Sequence, residues 1–166
     1  MTRRSLAVWA ILIGFLSALT EPGIAAIPGQ PAPADVKTIE DCLASVEKDK
    51  TDPDACIGKV TAMCQQTASG PAAAAAQVCI SRELLVWNSA SNRDFARLNA
   101  LLTDSDAKEA LREVQRSFVL FKLKECTFVR IARKDPADAL AAGSRCNLKA
   151  TARYEIWLLD QVDALK

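Results

Sequence analysis

The sequence predicts an all-α domain, a disulfide-stapled bundle of about five helices arranged as helical hairpins, with no sheet. Three observations carry that expectation. Apolar residues recur at spacings of three and four along most of the chain. Much of the apolar half of the composition is alanine and only 5% is aromatic, which favours helices packed closely through small side chains. Six cysteines, an even number, lie beyond residue 40.

The N-terminus reads as an export signal. Arg3 and Arg4 make a positive start, Leu6 to Leu19 is an apolar run, and Gly23-Ile24-Ala25-Ala26 offers small residues for cleavage. We place cleavage after Ala25 or Ala26, with residues 1–25 as signal peptide. The apolar run holds 14 residues, whereas a spanning helix needs about 20, which argues against a retained anchor. A lipid-bearing cysteine would follow the run directly, and the first cysteine is Cys42. Residues 26–35 form a Pro-rich linker, since Pro28, Pro31 and Pro33 oppose regular helix. The remainder, 36–166, is expected to fold as one domain of sufficient size for a single core.

In chain order, Val36, Ile39, Leu43 and Val46 keep helical spacing and predict a first helix that breaks over Asp49 to Pro53. Asp52-Pro53 reads as an N-cap followed by proline at the first helical position, opening a second helix through Ile57, Val60 and Met63 to Ser69-Gly70. Pro71 and five alanines start a long third helix through Val78, Leu84, Leu85, Trp87, Phe95, Leu98 and Leu102. Thr103 to Asp106 is dense in capping side chains, and Leu111, Val114, Phe118, Phe121, Cys126 and Val129 trace a fourth apolar face. That helix should stop near Lys134, because Pro136 biases Asp135 away from helical angles. Gly143-Ser144 precedes a final helix carrying Leu148, Ile156, Leu159 and Val162.

Cys42, Cys56, Cys64, Cys79, Cys126 and Cys146 imply three structural disulfides in an oxidising compartment. Hairpin geometry favours Cys126 with Cys146 about Pro136, Cys64 with Cys79 about Gly70-Pro71, and Cys42 with Cys56; Cys42 exchanging partners with Cys64 stays open. Cys56 and Cys64 do not pair along one straight helix, where eight residues rise about 12 Å against a disulfide Cα limit of about 7 Å. With no histidine and no Cys-x-x-Cys, zinc or redox chemistry fits poorly, and we expect no cofactor and no metal.

Removing Arg3, Arg4 and Glu21 from 21 basic and 20 acidic residues leaves 19 of each. A neutral chain without a basic bias makes nucleic acid a poor partner, and no membrane association is expected once the signal is gone. Charge is unevenly shared. Asp35 to Asp54 holds seven acids against three bases, a balance of −4, and Lys108 to Lys134 holds eight bases against three acids, a balance of +5. The plain expectation is that these helices pair with each other or solvate their outer faces.

Several spaced positions resemble the LprI-like lysozyme-inhibitor family of small exported bacterial helical domains. Over Cys42 to Leu159, Trp87, Asn92 and Leu98 stand at motif positions of the third helix, with Asn88, Ser91 and Phe95 replacing the usual aspartate, leucine and tyrosine. On the fourth, Leu111, Arg112, Gln115, Arg116 and Cys126 match, Phe118 and Phe121 keep aromatic rings, and Lys122 keeps a positive charge, while Leu123 loses an acid. Cys146, Thr151 and Leu158 fit the closing motif, where Tyr154 takes an arginine position. Cys56-Ile57-Gly58 is similar to the cysteine-rich front of many members. Trp87, Phe95, Gln115, Arg116 and Phe118 are expected to form the packed seam between two helices, with Arg116 capping a neighbour's carbonyls.

The resemblance implies a periplasmic or secreted binding protein that inhibits lysozyme by covering its cleft. Lysozymes are commonly cationic, so Glu40, Asp41, Glu47 and Asp49 are the candidate partner-binding residues. The alternative is a cell-envelope interaction or structural module without inhibitory activity. A wall-cleaving enzyme built on a carboxylate pair such as Glu40 and Glu83 is disfavoured, because no spacing marks one pair among many surface acids.

Overall fold

A computed structural model describes residues 30–166. Helix α1 spans Pro33–Asp49, a short 3-10 turn Pro53–Cys56, α2 Lys59–Thr67, α3 Ala72–Leu101, α4 Ser105–Ile131 and α5 Pro136–Ala164. No strand occurs among the described residues, and none of their helices is long and apolar enough to cross a membrane. The expected signal peptide over 1–25, and linker residues 26–29, lie outside the described residues.

Helix α5 packs along both α3 and α4, α2 lies on α3, and α1 closes over α2, α3 and the 3-10 turn. One core gathers Ile39, Cys56, Val60, Ile80, Val86, Trp87, Leu148 and Ala152; a second, toward the α3–α4 connection, gathers Leu98, Leu111, Leu158 and Val162. The helix starts follow local chemistry. The side chains of Asp52, Asp104 and Asp135 accept from Asp54 N, Ala107 N and Asp138 N, satisfying otherwise orphaned donors. Pro33, Pro53 and Pro136 sit in first turns, where no N–H is needed.

Three disulfides staple this arrangement: Cys42 to Cys56 ties α1 to the 3-10 turn, Cys64 to Cys79 ties α2 to α3, and Cys126 to Cys146 ties α4 to α5. They close loops of 14, 15 and 20 residues, each of which stabilises by about 3 kcal/mol through lost chain entropy.

Several boundaries differ from expectation. Helix α1 opens at Pro33 rather than Val36, because Asp35 is buried and receives two hydrogen bonds from the Arg82 guanidinium, at 2.5 and 2.6 Å. The expected second helix is divided. Gly58 adopts φ 98°, a left-handed conformation that side chains resist, so the turn at Pro53 ends before α2 begins, and Met63 is exposed. Helix α4 ends at Ile131, short of Lys134. Helix α5 starts at Pro136, with Gly143 inside it rather than before it. A Cβ at Gly143 would lie 3.4 Å from the Arg130 Cβ, so Gly143 faces α4 at van der Waals distance. Val78, Val114 and Phe121, expected on apolar faces, are exposed.

Helix α2 has no cap of its own; α3 supplies one. The buried Glu83 carboxylate accepts from Gly58 N at 2.6 Å and Thr61 N at 2.7 Å, and also from Trp87 Nε1 at 2.9 Å. A negative charge on a helix N-terminus is electrostatically favourable as well. Glu83→Ala would leave these three donors buried without an acceptor, and we expect a loss of at least about 3 kcal/mol in urea denaturation. A loss below about 1 kcal/mol would contradict the role given to this side chain.

Candidate functional site

Helices α1, α3 and α5 enclose an open groove of about 620 Å³. Val36, Ile39 and Leu43 line it from α1, Val86 and Trp87 from α3, and Ile156 and Leu159 from α5. Apolar positions about one turn apart on α1 and α5, and the adjacent Val86 and Trp87 on α3, place these side chains on converging faces. Glu40 and Glu47 of α1 and Asp160 and Asp163 of α5 line it with Arg93 and Arg97 of α3 and with Lys50 and Lys166.

Beneath this rim lies a pair of buried acids. Asp94 is 2% exposed and Glu155 1%. Arg93 holds Asp94 through two guanidinium contacts, at 2.8 and 3.2 Å, and reaches Glu155 only at 4.0 Å and Glu40 at 3.9 Å. Neither Glu155 carboxyl oxygen receives a hydrogen bond among the described residues. Burial, followed by the hydrogen bond to Asp94 and the Asp94 charge, pushes the Glu155 pKa from 4.5 up to about 9, with Arg93 opposing. Glu155 is therefore protonated at neutral pH and lies beside Asp94, which the Arg93 guanidinium holds.

The structure separates the four acids proposed for partner binding. Glu40 and Glu47 line the groove, while Asp41 pairs with Lys37 in solvent and Asp49 accepts from Ser45, both outside it. Glu47, Asp49 and Asp160 make no ion pair among the described residues, and neither does Lys50, which lines the same groove. No ion pair joins α1 to α4 among the described residues, so the acidic and basic stretches do not neutralise each other. Glu83, half of the disfavoured catalytic pair, is occupied by its three donors and offers no free base.

The family-motif residues do not form one seam. Trp87 is fully buried in the α1–α3–α5 core, and Phe95 packs beside Leu98 and Leu111 in the second core. Phe118 stacks on Tyr154 of α5, centroids 4.0 Å apart and nearly parallel, with Trp157 beyond. Gln115 is half-buried and Asn92 exposed. Arg116 points outward to Glu109 and Glu113, and Arg112 to Glu109, so neither caps a neighbouring helix. Thr151 is buried and accepts from Lys122, whose ammonium lies 5.0 Å from the Phe118 ring centre. The reason is topological: α5 supplies partners to both α3 and α4.

Glu125 stands near Cys126 and Cys146, but both sulfurs are spent in the disulfide and offer no thiolate to a metal. Asp94, Glu155 and Tyr154 were missed as site residues by sequence reasoning. A signal existed, since Trp87, Ser91, Asp94 and Leu98, and likewise Ala152, Glu155, Leu158 and Val162, follow three-four spacing with an acid on the inward stripe.

Residues 64–158, more than half of the chain, match the family model described as Lysozyme inhibitor LprI. No curated protein and no solved structure matches the chain.

The raised Glu155 pKa carries a sign. Stability from the protonated form is complete below the ordinary value of 4.5 and is lost as pH rises toward 9. We expect denaturation midpoints to fall between pH 5 and 9 with a slope of up to about 1.4 kcal/mol per pH unit, and Glu155→Gln to flatten it. Equal slopes in the two proteins would contradict the assignment.

Proposed function

Because the chain belongs to the LprI lysozyme-inhibitor family, we propose that it acts outside the reducing cytoplasm as a binding protein that inhibits a lysozyme by occupying its cleft. The match over residues 64–158 carries this reading. Inhibition by blockade needs no catalytic group, no cofactor and no metal, only a complementary surface. Export through a signal peptide at 1–25, cleavage after Ala25 or Ala26, and residence in the periplasm or beyond belong to the same proposal. Three disulfides support it, because such bonds persist in oxidising compartments.

The α1–α3–α5 groove is the surface we assign to the partner. Around an apolar floor, Glu47 and Asp160 make no ion pair among the described residues and Glu40 reaches only Arg93 at 3.9 Å, so these acids, set beside Lys50 and Lys166, are left to pair with the bases of a cationic protein. Apolar walls then receive a side chain of the partner while the rim fixes orientation. Asp41 and Asp49, outside the groove, contribute to the long-range field only.

Muramidase turnover measured with and without the purified, oxidised protein tests the reading. Inhibition of at least one lysozyme class is expected, weakening as salt is raised. Glu40→Lys with Glu47→Lys should raise the inhibition constant at least about fivefold. No inhibition of any class at excess protein refutes the function, and full inhibition by the double variant refutes the assigned surface.

A further inference from the structure

Helix α4 is supported along its length by α5 and leaves much of its circumference bare. Its C-terminal half exposes Leu120 (58%), Phe121 (62%), Phe128 (66%) and Ile131 (69%), more than a solvated helix ordinarily presents. Phe121, Lys124, Phe128 and Ile131 follow three-four-three spacing and form one stripe. Leu123 and, at the start of α5, Leu140 add apolar surface beside it, on either side of a shallow cleft.

Charge on this stretch is one-sided. In the N-terminal half of α4, Arg112 and Arg116 are neutralised by Glu109 and Glu113. Beyond them Lys124, Arg130 and Lys134 make no ion pair among the described residues, and Arg133 has only a distant one to Asp138, at 3.8 Å. Glu125 is the single acid between residues 117 and 134. Aromatic and aliphatic side chains on a convex helix, flanked by unpaired bases, have the chemistry of a helix that lies in a membrane interface.

Against the expectation of no membrane association drawn from overall charge, we infer that this face of α4, with Leu140, docks on an anionic lipid bilayer. Phe121, Phe128, Leu120 and Ile131 enter the boundary between headgroups and acyl chains, while Lys124, Arg130 and Lys134 reach the headgroup phosphates on long flexible stems. Charge decides against a second copy of the chain as occupant. Pairing two such faces sets these bases against their equivalents as water is excluded, where like charges repel more strongly. Docking here leaves the α1–α3–α5 groove to its protein partner, so the inference stands independently of inhibition.

Co-sedimentation with phosphatidylglycerol–phosphatidylethanolamine vesicles and with phosphatidylcholine vesicles tests it. The full chain is compared with Phe121→Ser/Phe128→Ser and with Lys124→Glu/Arg130→Glu, so any contribution of Leu6 to Leu19 is common to all three. These side chains are exposed, and unchanged melting would verify folding. The full chain should partition at least about tenfold more onto the anionic vesicles, and each variant should lose at least about tenfold. Equal partition onto both vesicle types, or variants that bind like the parent, overturns the inference. So does light scattering that finds a dimer dissolved by the phenylalanine substitutions, or capture of an acidic protein without vesicle binding.

Discussion

A single carboxylate holds the front of this molecule to its back. Glu83 leaves α3, enters the interior and accepts from two backbone donors at the start of α2 and from the Trp87 indole. That one side chain caps α2, orients the tryptophan and sets the floor of the groove. Its burial is tolerable because all three donors converge on it; an isolated charge there would cost several kcal/mol. The disulfides act on a different quantity. Cys42–Cys56 and Cys64–Cys79 limit the unfolded chain, so a nine-residue α2 too short to be stable alone stays in place.

The second pair of interior acids follows the opposite logic. Asp94 is bound by the Arg93 guanidinium, whereas Glu155 lacks such a partner and keeps its proton. Neutral Glu155 and ion-paired Asp94 leave the floor almost uncharged at pH 7. The field around the groove then comes from its rim.

Charge is segregated across the bundle because α1 and α4 are held by different partners. Helix α1 leans on α2 and α3, α4 on α5, and the acidic and basic stretches never meet. One side thus offers an apolar groove whose rim mixes acids and bases, and another an apolar ridge with basic flanks. Both follow from making α5 the shared neighbour of α3 and α4, which uses up the inward stripes of three helices and leaves none for the outer face of α4.

The sequence alone determined the helical class, the prolines and aspartates that open helices, and the family; it favoured three cysteine pairs but left an exchange between Cys42 and Cys64 open, which the structure closed. Each of these rests on local physics: a three-four period, a fixed proline φ, a capping oxygen, or the reach of a chain between two sulfurs. Only the tertiary structure decided that Gly58 divides the second helix, that Gly143 sits inside the last, and that Phe121 faces outward. It alone brought Asp94 to Glu155 and Glu83 to α2. Those outcomes depend on which helix lies against which, and three-four spacing says that a face is buried without saying by what. Acids on inward stripes were visible as residues, but Glu83 meets backbone donors 22 and 25 positions away and Glu155 meets an acid 61 positions away, which no local pattern encodes.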